Sequence, residues 1–113
     1  MKKAAIIGGS MSGLFAANFL KQINWDYSIH EMVPETLSGR GAGIATYEEL
    51  AELVKLTTGY KQSLGTTGDE RIVLNKNNSV VTKMKYPQVF TSWQYLYDVL
   101  LSNIDKKKYF LGD

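Results

Sequence analysis

The stretch AAIIGGSMSGLFAANFL, residues 4–20, decides how this chain folds. Its first part, Ala4 to Gly8, is a short apolar run typical of a strand that is buried on both faces. Glycine and serine over Gly8–Gly13 predict a turn. From Leu14 to Ile23 the apolar residues recur at helical spacing, which predicts an amphipathic helix. The order is therefore strand, glycine turn and helix.

A second strand follows this helix. Asn24–Asp26 ends the helix, Tyr27–Met32 is predicted to form a strand, and Pro34 ends it. Strand, helix and strand in this order form a βαβ unit, whose strands are parallel and whose crossover is right-handed in nearly all proteins.

The rest of the chain predicts two more helices, a hairpin and a third strand. Capping boxes at Thr46–Glu49 and Thr91–Gln94 open the helices, and the first helix ends at Gly59. The sequence KNNS, residues 76–79, predicts a hairpin turn because asparagine tolerates a positive φ. Tyr109–Leu111 is predicted to be a third parallel strand. The hairpin strands are Arg71–Leu74 and Val80–Met84. The apolar face of the second helix comprises Leu96, Val99, Leu100 and Ile104.

The opening of the chain also allows a secretory signal or a membrane anchor as an interpretation. Gly8–Ser10 breaks the apolar run before the about 7–15 residues that a signal needs, and no cleavage site follows. No apolar stretch approaches the roughly 20 residues that cross a bilayer. A net charge of +2 gives no reason to expect nucleic acid or a membrane as partner. We therefore expect a cytoplasmic protein.

Without cysteine, and with His30 as its one histidine, the sequence predicts no metal site.

The turn GGSMSG, residues 8–13, is a variant of the dinucleotide-binding motif G-x-G-x-x-G, with Ser10 in place of the middle glycine. Gly8 permits the tight turn, and Gly13 lets the helix approach the strand. The middle position leaves room for a diphosphate on the N–H groups of the helix end. The hydroxyls of Ser10 and Ser12 can donate to phosphate oxygens. The motif therefore predicts an anion-binding helix end.

Glu31 lies 18 residues after Gly13, at the end of the second predicted strand. A carboxylate there can accept hydrogen bonds from both hydroxyls of an adenosine ribose and repels a 2′-phosphate. The alternative is an exposed charge at a strand end, but the upstream turn favours ribose binding. His30 alternates to the opposite face of the strand, where we expect a structural role.

A second glycine-rich loop, SGRGAG, covers residues 38–43. It suits an ordinary flexible connection and equally a chain that passes close to a flat or anionic cofactor. Its composition alone does not decide between the two.

The chain resembles the front end of the flavoprotein aromatic hydroxylases in four ordered motifs: GGSMSGL, the E-x-x-P of Glu31–Pro34, LSGRGAGI and PQVFTSWQYLY. These are single-component FAD monooxygenases related to 4-hydroxybenzoate hydroxylase, and the nearest likeness is to the 2,6-dihydroxypyridine 3-monooxygenase branch. The resemblance covers essentially all 113 residues. It implies an α/β fold: a partial, Rossmann-like βαβ FAD-binding domain with an inserted β-hairpin and helices.

The resemblance also implies a cofactor and a site. Enzymes of this family use NADH or NADPH to reduce FAD, and they hydroxylate a small aromatic or heteroaromatic substrate. The first turn would face the pyrophosphate, Glu31 the ribose, and the second loop would pass beside the FAD. Many relatives have arginine at the positions of Gly41 and Trp93. No residue is identified as a catalytic acid, base or nucleophile, since the oxygen chemistry belongs to the cofactor. The implied cofactor-binding residues are Gly8, Ser10, Ser12, Gly13, Glu31, Gly39, Arg40, Gly41, Ala42 and Gly43.

The family also uses a G-A-D-G segment and a later G-D segment, and neither is found at a matching place in this sequence. In the 3-2-1 strand order of this fold the first strand has a neighbour on each side, whereas this chain supplies strands for one side. We therefore expect residues 1–113 to be the N-terminal part of an FAD-binding domain, inactive alone and without the substrate domain. Its open apolar edge would favour self-association.

Two alternatives stay open. The first is a non-catalytic α/β fragment that binds an adenine nucleotide or associates with itself through the open edge. The second is an NAD-linked oxidoreductase, which shares the first motif but does not account for LSGRGAGI or TSWQYLY. The sequence does not identify the substrate, its site of hydroxylation, or the choice between NADH and NADPH.

Overall fold

The computed structural model describes residues 1–39 and 41–113. Within them, the chain forms two three-stranded sheets and three α-helices. The elements in chain order are β1 (Lys3–Ile7), α1 (Met11–Gln22), β2 (Asp26–Glu31), β3 (Gly43–Thr46), α2 (Glu48–Thr58), β4 (Thr66–Leu74), β5 (Val80–Ser92), α3 (Trp93–Ser102), a 3₁₀ turn (Lys106–Lys108) and β6 (Tyr109–Leu111). Among the described residues, no helix has the length and apolarity that crossing a membrane requires.

The first sheet is parallel and has the order β1-β2-β6. The predicted α/β fold, the βαβ unit and the third parallel strand are confirmed. This is the predicted 3-2-1 order, and among the described strands β1 is hydrogen-bonded on one side only, as the sequence indicated.

The prediction that the first strand is buried on both faces is wrong. Ala4 and Ile6 are half-buried, whereas Ala5 is exposed and Ile7 is 84% exposed. In the described residues α1 and α3 pack on one face of the sheet. The apolar run therefore has only one covered face, and the residues at alternate positions stay in contact with solvent.

The core consists of two clusters that meet at α1. The larger one joins this helix to β2 and α3, and the smaller one joins α2 to α3. Met11 and Phe15 pack against both clusters. All four residues of the predicted apolar face of the last helix are buried. The larger cluster comprises Leu14, Ala17, Tyr27, Ile29, Leu37, Tyr97, Leu100 and Ile104, and the smaller one comprises Val54, Leu64, Leu96 and Val99.

A buried amide holds these helices together, and sequence analysis did not predict it. Asn18 on α1 is fully buried. Its Nδ2 donates to the carbonyl oxygens of Leu14 and Leu100, at 2.8 and 3.2 Å, and its Oδ1 accepts from Nδ2 of Asn103 at 2.7 Å. The amide therefore satisfies a backbone carbonyl of α3 and the side chain that follows α3 inside an otherwise apolar contact.

The second sheet is antiparallel and has the order β3-β5-β4. The predicted hairpin is confirmed, and Asn78 in its turn has a φ of 62°. Both strands are longer than predicted, since β4 begins at Thr66 and β5 extends to Ser92. The hairpin makes the molecule elongated, with extents of 59 × 28 × 19 Å.

The helix ends differ in part from the predictions. α1 begins at Met11, so that Gly13 lies inside the helix. The capping box at Thr46 is wrong, because Thr46 pairs with Val89 as the last residue of β3 and Tyr47 precedes α2 without a side-chain cap. In the second box it is Ser92 that caps α3, accepting from the N–H of Tyr95 at 3.1 Å. The predicted end at Gly59 is confirmed by its left-handed backbone.

Candidate functional site

The glycine turn connects β1 to α1 at the carboxyl end of the parallel sheet. Gly8 has a φ of +103°, and its N–H donates to the carbonyl of His30 at 2.8 Å. A Cβ at Gly13 would lie 1.9 Å from the carbonyl oxygen of Gly8, so the predicted close approach of helix and strand is confirmed. Ser10 precedes α1 in an extended conformation, and within the described residues its hydroxyl caps no N–H group of the helix. The first N–H groups of α1 are therefore left for another acceptor.

Glu31 ends β2 and its carboxylate lies against the glycine turn. Oε2 accepts from the N–H of Gly9 at 2.7 Å, and Oε1 accepts from the N–H of Val33 at 3.2 Å. The residue is only 7% exposed, so the alternative of an exposed strand-end charge is wrong. A carboxylate offers about four acceptor positions. Donors in the described part of the chain use two of them, and the other two leave capacity for a ligand.

Tyr109 at the start of β6 also contacts the turn, and sequence analysis missed it. Its hydroxyl donates to the carbonyl oxygen of Gly9 at 2.6 Å and lies 3.2 Å from the hydroxyl of Tyr97. Burial and the hydrogen bond with Tyr97 raise the pKa of Tyr109 well above its usual value. The phenol therefore stays protonated and remains a donor. No local pattern signals this contact, because it joins residues 100 positions apart.

An open cleft of about 550 Å³ lies beside the turn and brings several predicted residues together. Four of them line it: Ser10, Glu31, Gly41 and Ala42. The other lining residues are Met32, Val33, Leu37 and Trp93. The second glycine loop therefore meets the first turn across this cleft, as expected for a loop that passes close to a ligand.

Trp93 forms a wall of the cleft and holds the second loop. Its indole stacks on the ring of Tyr97, with 4.8 Å between centroids and an angle of 14° between planes. The backbone N–H of Trp93 donates to the carbonyl oxygen of Ala42 at 2.9 Å. A flat apolar surface at this position suits the face of an aromatic ligand.

The other predicted residues lie around the cleft rather than in its lining. Gly8, Ser12 and Gly13 belong to the turn and to α1, and Gly43 begins β3. The N–H of Gly39 donates to Oε1 of Gln94 at 2.6 Å, which ties the second loop to α3. Arg40 was also predicted to contact the cofactor, and it lies outside the described residues.

His30 lies on the opposite face of β2 from Glu31. Its Nε2 is 2.9 Å from the hydroxyl of Ser28, its Nδ1 contacts the carboxylate of Asp113, and its ring stacks on Phe110. These contacts fit the structural role that we expected for it. A larger cleft of about 810 Å³ lies between α2 and the hairpin, and its lining includes none of the predicted site residues.

Comparison with known proteins shows that the chain is similar to part of known aromatic hydroxylases. No family model matches the chain. The chain is 44% identical over 48 residues to 2,6-dihydroxypyridine 3-monooxygenase of Paenarthrobacter nicotinovorans, a match that covers 42% of this chain and 12% of that protein. The structure of 2,6-dihydroxypyridine-3-hydroxylase from Arthrobacter nicotinovorans matches 98% of this chain with 27% identity and a TM-score of 0.84.

A more distant structure shares the fold. Klebsiella pneumoniae HpxO, determined in complex with FAD and uric acid, matches 98% of this chain with 20% identity and a TM-score of 0.75. The chain spans 28% of the length of the Arthrobacter hydroxylase and 31% of HpxO. The resemblance to the N-terminal portion of FAD-dependent aromatic hydroxylases, predicted from four motifs, is confirmed.

Proposed function

We propose that this chain binds the adenosine diphosphate end of FAD, as the N-terminal part of the FAD-binding domain of an aromatic hydroxylase. The observation that carries the proposal is the convergence of Glu31 and the start of α1 on one cleft. Glu31 reaches the turn through Gly9, and Ser10 lines the same cleft. The helix end, whose N–H groups can donate to an anion, therefore lies next to a carboxylate that can bind the ribose. A dinucleotide requires this arrangement.

The residues around the cleft fit the adenosine diphosphate end of FAD. The uncapped N–H groups of α1, with the hydroxyls of Ser10 and Ser12, would hold the diphosphate. Glu31 has acceptor capacity left for the ribose hydroxyls. Trp93 offers a flat apolar wall. Gly41 and Ala42 bring the backbone of the second loop to the cleft, and Gly39 and Gly43 flank them.

FAD supplies the redox chemistry when it is bound, and the residues of this chain bind and orient it. For the whole protein we propose hydroxylation of a small aromatic or heteroaromatic ring, with NADH or NADPH as reductant, in the cytoplasm. The relatives named for 2,6-dihydroxypyridine support this substrate class. No residue of this chain is proposed as a catalytic acid, base or nucleophile.

The test is nucleotide binding by the full 113-residue chain. Isothermal titration with ADP should show binding, and Glu31→Gln should weaken it about tenfold, since a hydrogen bond to a charged group contributes about 1.5–3 kcal/mol. Glu35→Gln is the matched control, because Glu35 is exposed and lies four residues further along. It should bind ADP like the wild type. A wild-type chain that takes up no ADP would contradict the proposal.

Self-association through β1 is a second candidate property, and the open edge favours it. The strand pairs with β2 on one side, and the side chain of Ile7 is 84% exposed. We expect the sedimentation coefficient to rise with protein concentration, and Ile7→Lys to reduce this rise because a charge at an edge opposes pairing. Ile23→Lys is the control, since Ile23 is also exposed but lies beyond α1. A monomer at every concentration would argue against edge pairing.

A further inference from the structure

We propose that Tyr109 is a positioning residue for the diphosphate end of the site, acting through the backbone of Gly9. The proposal rests on the proposed function, because it concerns how this chain holds ADP. It assigns a role to a residue of the last strand, whereas the cofactor-binding residues predicted from the sequence lie between Gly8 and Gly43.

The hydrogen bonds around Tyr109 form a relay with one consistent direction. The N–H of Leu37 donates to the hydroxyl of Tyr97 at 3.3 Å. The Tyr97 and Tyr109 hydroxyls are 3.2 Å apart, and that of Tyr109 donates to the carbonyl oxygen of Gly9 at 2.6 Å. Each hydroxyl can therefore accept one hydrogen bond and donate one, which is the capacity that a phenol has.

Gly9 is fixed on both sides by this arrangement. Its N–H donates to Glu31, and its carbonyl accepts from Tyr109. A Cβ at this position would lie 2.3 Å from the Tyr109 hydroxyl, so only glycine lets the phenol approach the backbone this closely. In the G-x-G-x-x-G pattern, Gly9 occupies the unrestricted second position. The structure therefore gives a reason for a glycine that the motif does not require.

The hydrogen bond from Tyr109 orients the donor that follows. A trans peptide is planar, and its N–H points opposite to its carbonyl. Because Tyr109 holds the carbonyl of Gly9, it also fixes the direction of the N–H of Ser10, which precedes the first turn of α1 and lines the cleft. An anion site made of backbone N–H groups depends on their fixed direction.

The relay also connects the two loops of the site. Leu37 precedes the second glycine loop and lines the cleft. Through Tyr97 and Tyr109 its N–H group is linked to the first turn. The stacking of Trp93 on Tyr97 adds a contact between the relay and the wall of the cleft.

The experiment compares ADP with adenosine as ligands of the full chain, by isothermal titration. Tyr109→Phe removes one hydroxyl and should weaken ADP binding about tenfold, while adenosine binding changes less than about twofold. Tyr97→Phe leaves the bond to Gly9 in place and should weaken ADP binding about threefold. Tyr95→Phe is the matched control, because Tyr95 also lies on α3 and its hydroxyl contacts that of Tyr60.

Each outcome decides the proposal. A selective loss for ADP in Tyr109→Phe, with Tyr95→Phe unchanged, supports it. Equal losses for ADP and adenosine would show that the hydroxyl merely stabilises the fold, and unchanged binding of both would show that it plays no part; either result overturns the proposal. If Tyr109→Phe does not fold, an unchanged ADP affinity in Tyr97→Phe overturns it. A wild-type chain that binds neither ligand refutes the proposed function, and this inference with it.

Discussion

Gly13→Ala should lower the free energy of unfolding by about 3 kcal/mol, the upper end of the range for overpacking a tight contact. The added Cβ would lie 1.9 Å from the carbonyl oxygen of Gly8 and 3.3 Å from a methyl group of Ile6. The obstacle is backbone, which cannot rotate away as the end of a side chain can. The helix must therefore move off the strand, and the turn between them must open.

Urea denaturation followed by circular dichroism measures this effect, and ADP titration measures its consequence for the site. Gly41→Ala is the control, because a Cβ at Gly41 meets no atom of the residues that the structure describes within 4 Å, and Gly41 belongs to the other glycine loop. It should unfold at the same urea concentration as the wild type. A Gly13→Ala protein with wild-type stability would mean that α1 and β1 do not pack as closely as described.

Asn18→Leu should lower the free energy of unfolding by about 2–4 kcal/mol, although leucine is apolar and similar in size to asparagine. The substitution leaves the carbonyl of Leu100 and the amide of Asn103 without the partner that Asn18 provides, at the junction of α1 and α3. Buried groups that lose a hydrogen-bond partner carry a desolvation cost that an extra apolar contact does not offset.

The same denaturation experiment measures this change. Asn77→Leu is the control, since Asn77 lies exposed in the hairpin turn. Its effect should stay within about 0.5 kcal/mol. If Asn18→Leu were as stable as the wild type, the buried amide would contribute nothing to the packing of the helices.

Local patterns predicted the parts of this fold whose causes are local. The glycine turn, the first helix, the turn at Asn78 and the helix end at Gly59 each depend on a few neighbouring residues. The capping box at Thr46 failed for the opposite reason. Threonine is a residue type that caps helices, but Thr46 pairs with Val89, 43 positions away, and this pairing holds its backbone in a strand. Tertiary contact therefore overrode a local preference.

The candidate site shows the same division. Glycine and serine at the turn and a carboxylate at the end of β2 follow from spacing, because the βαβ unit fixes where they meet. Tyr109 and Tyr97 could not be found in this way. Their contacts depend on where β6 and α3 pack against the turn. No periodicity in the sequence encodes this packing. The prediction that β1 is buried on both faces was wrong because an apolar run does not show how many faces of the strand other elements cover.

The hairpin of β4 and β5 has a consequence for how the molecule loses its structure. Ile72, Val73, Leu74, Val80 and Val81 are all about half exposed or more, so little apolar area is buried near the tip. Two-stranded ribbons of this kind are only marginally stable by themselves. We therefore expect opening to begin at Asn78 and to proceed toward Phe90, while the parallel sheet and its helices stay intact. We therefore expect two melting processes, and a single transition temperature would describe only the body that contains the cleft beside the glycine turn.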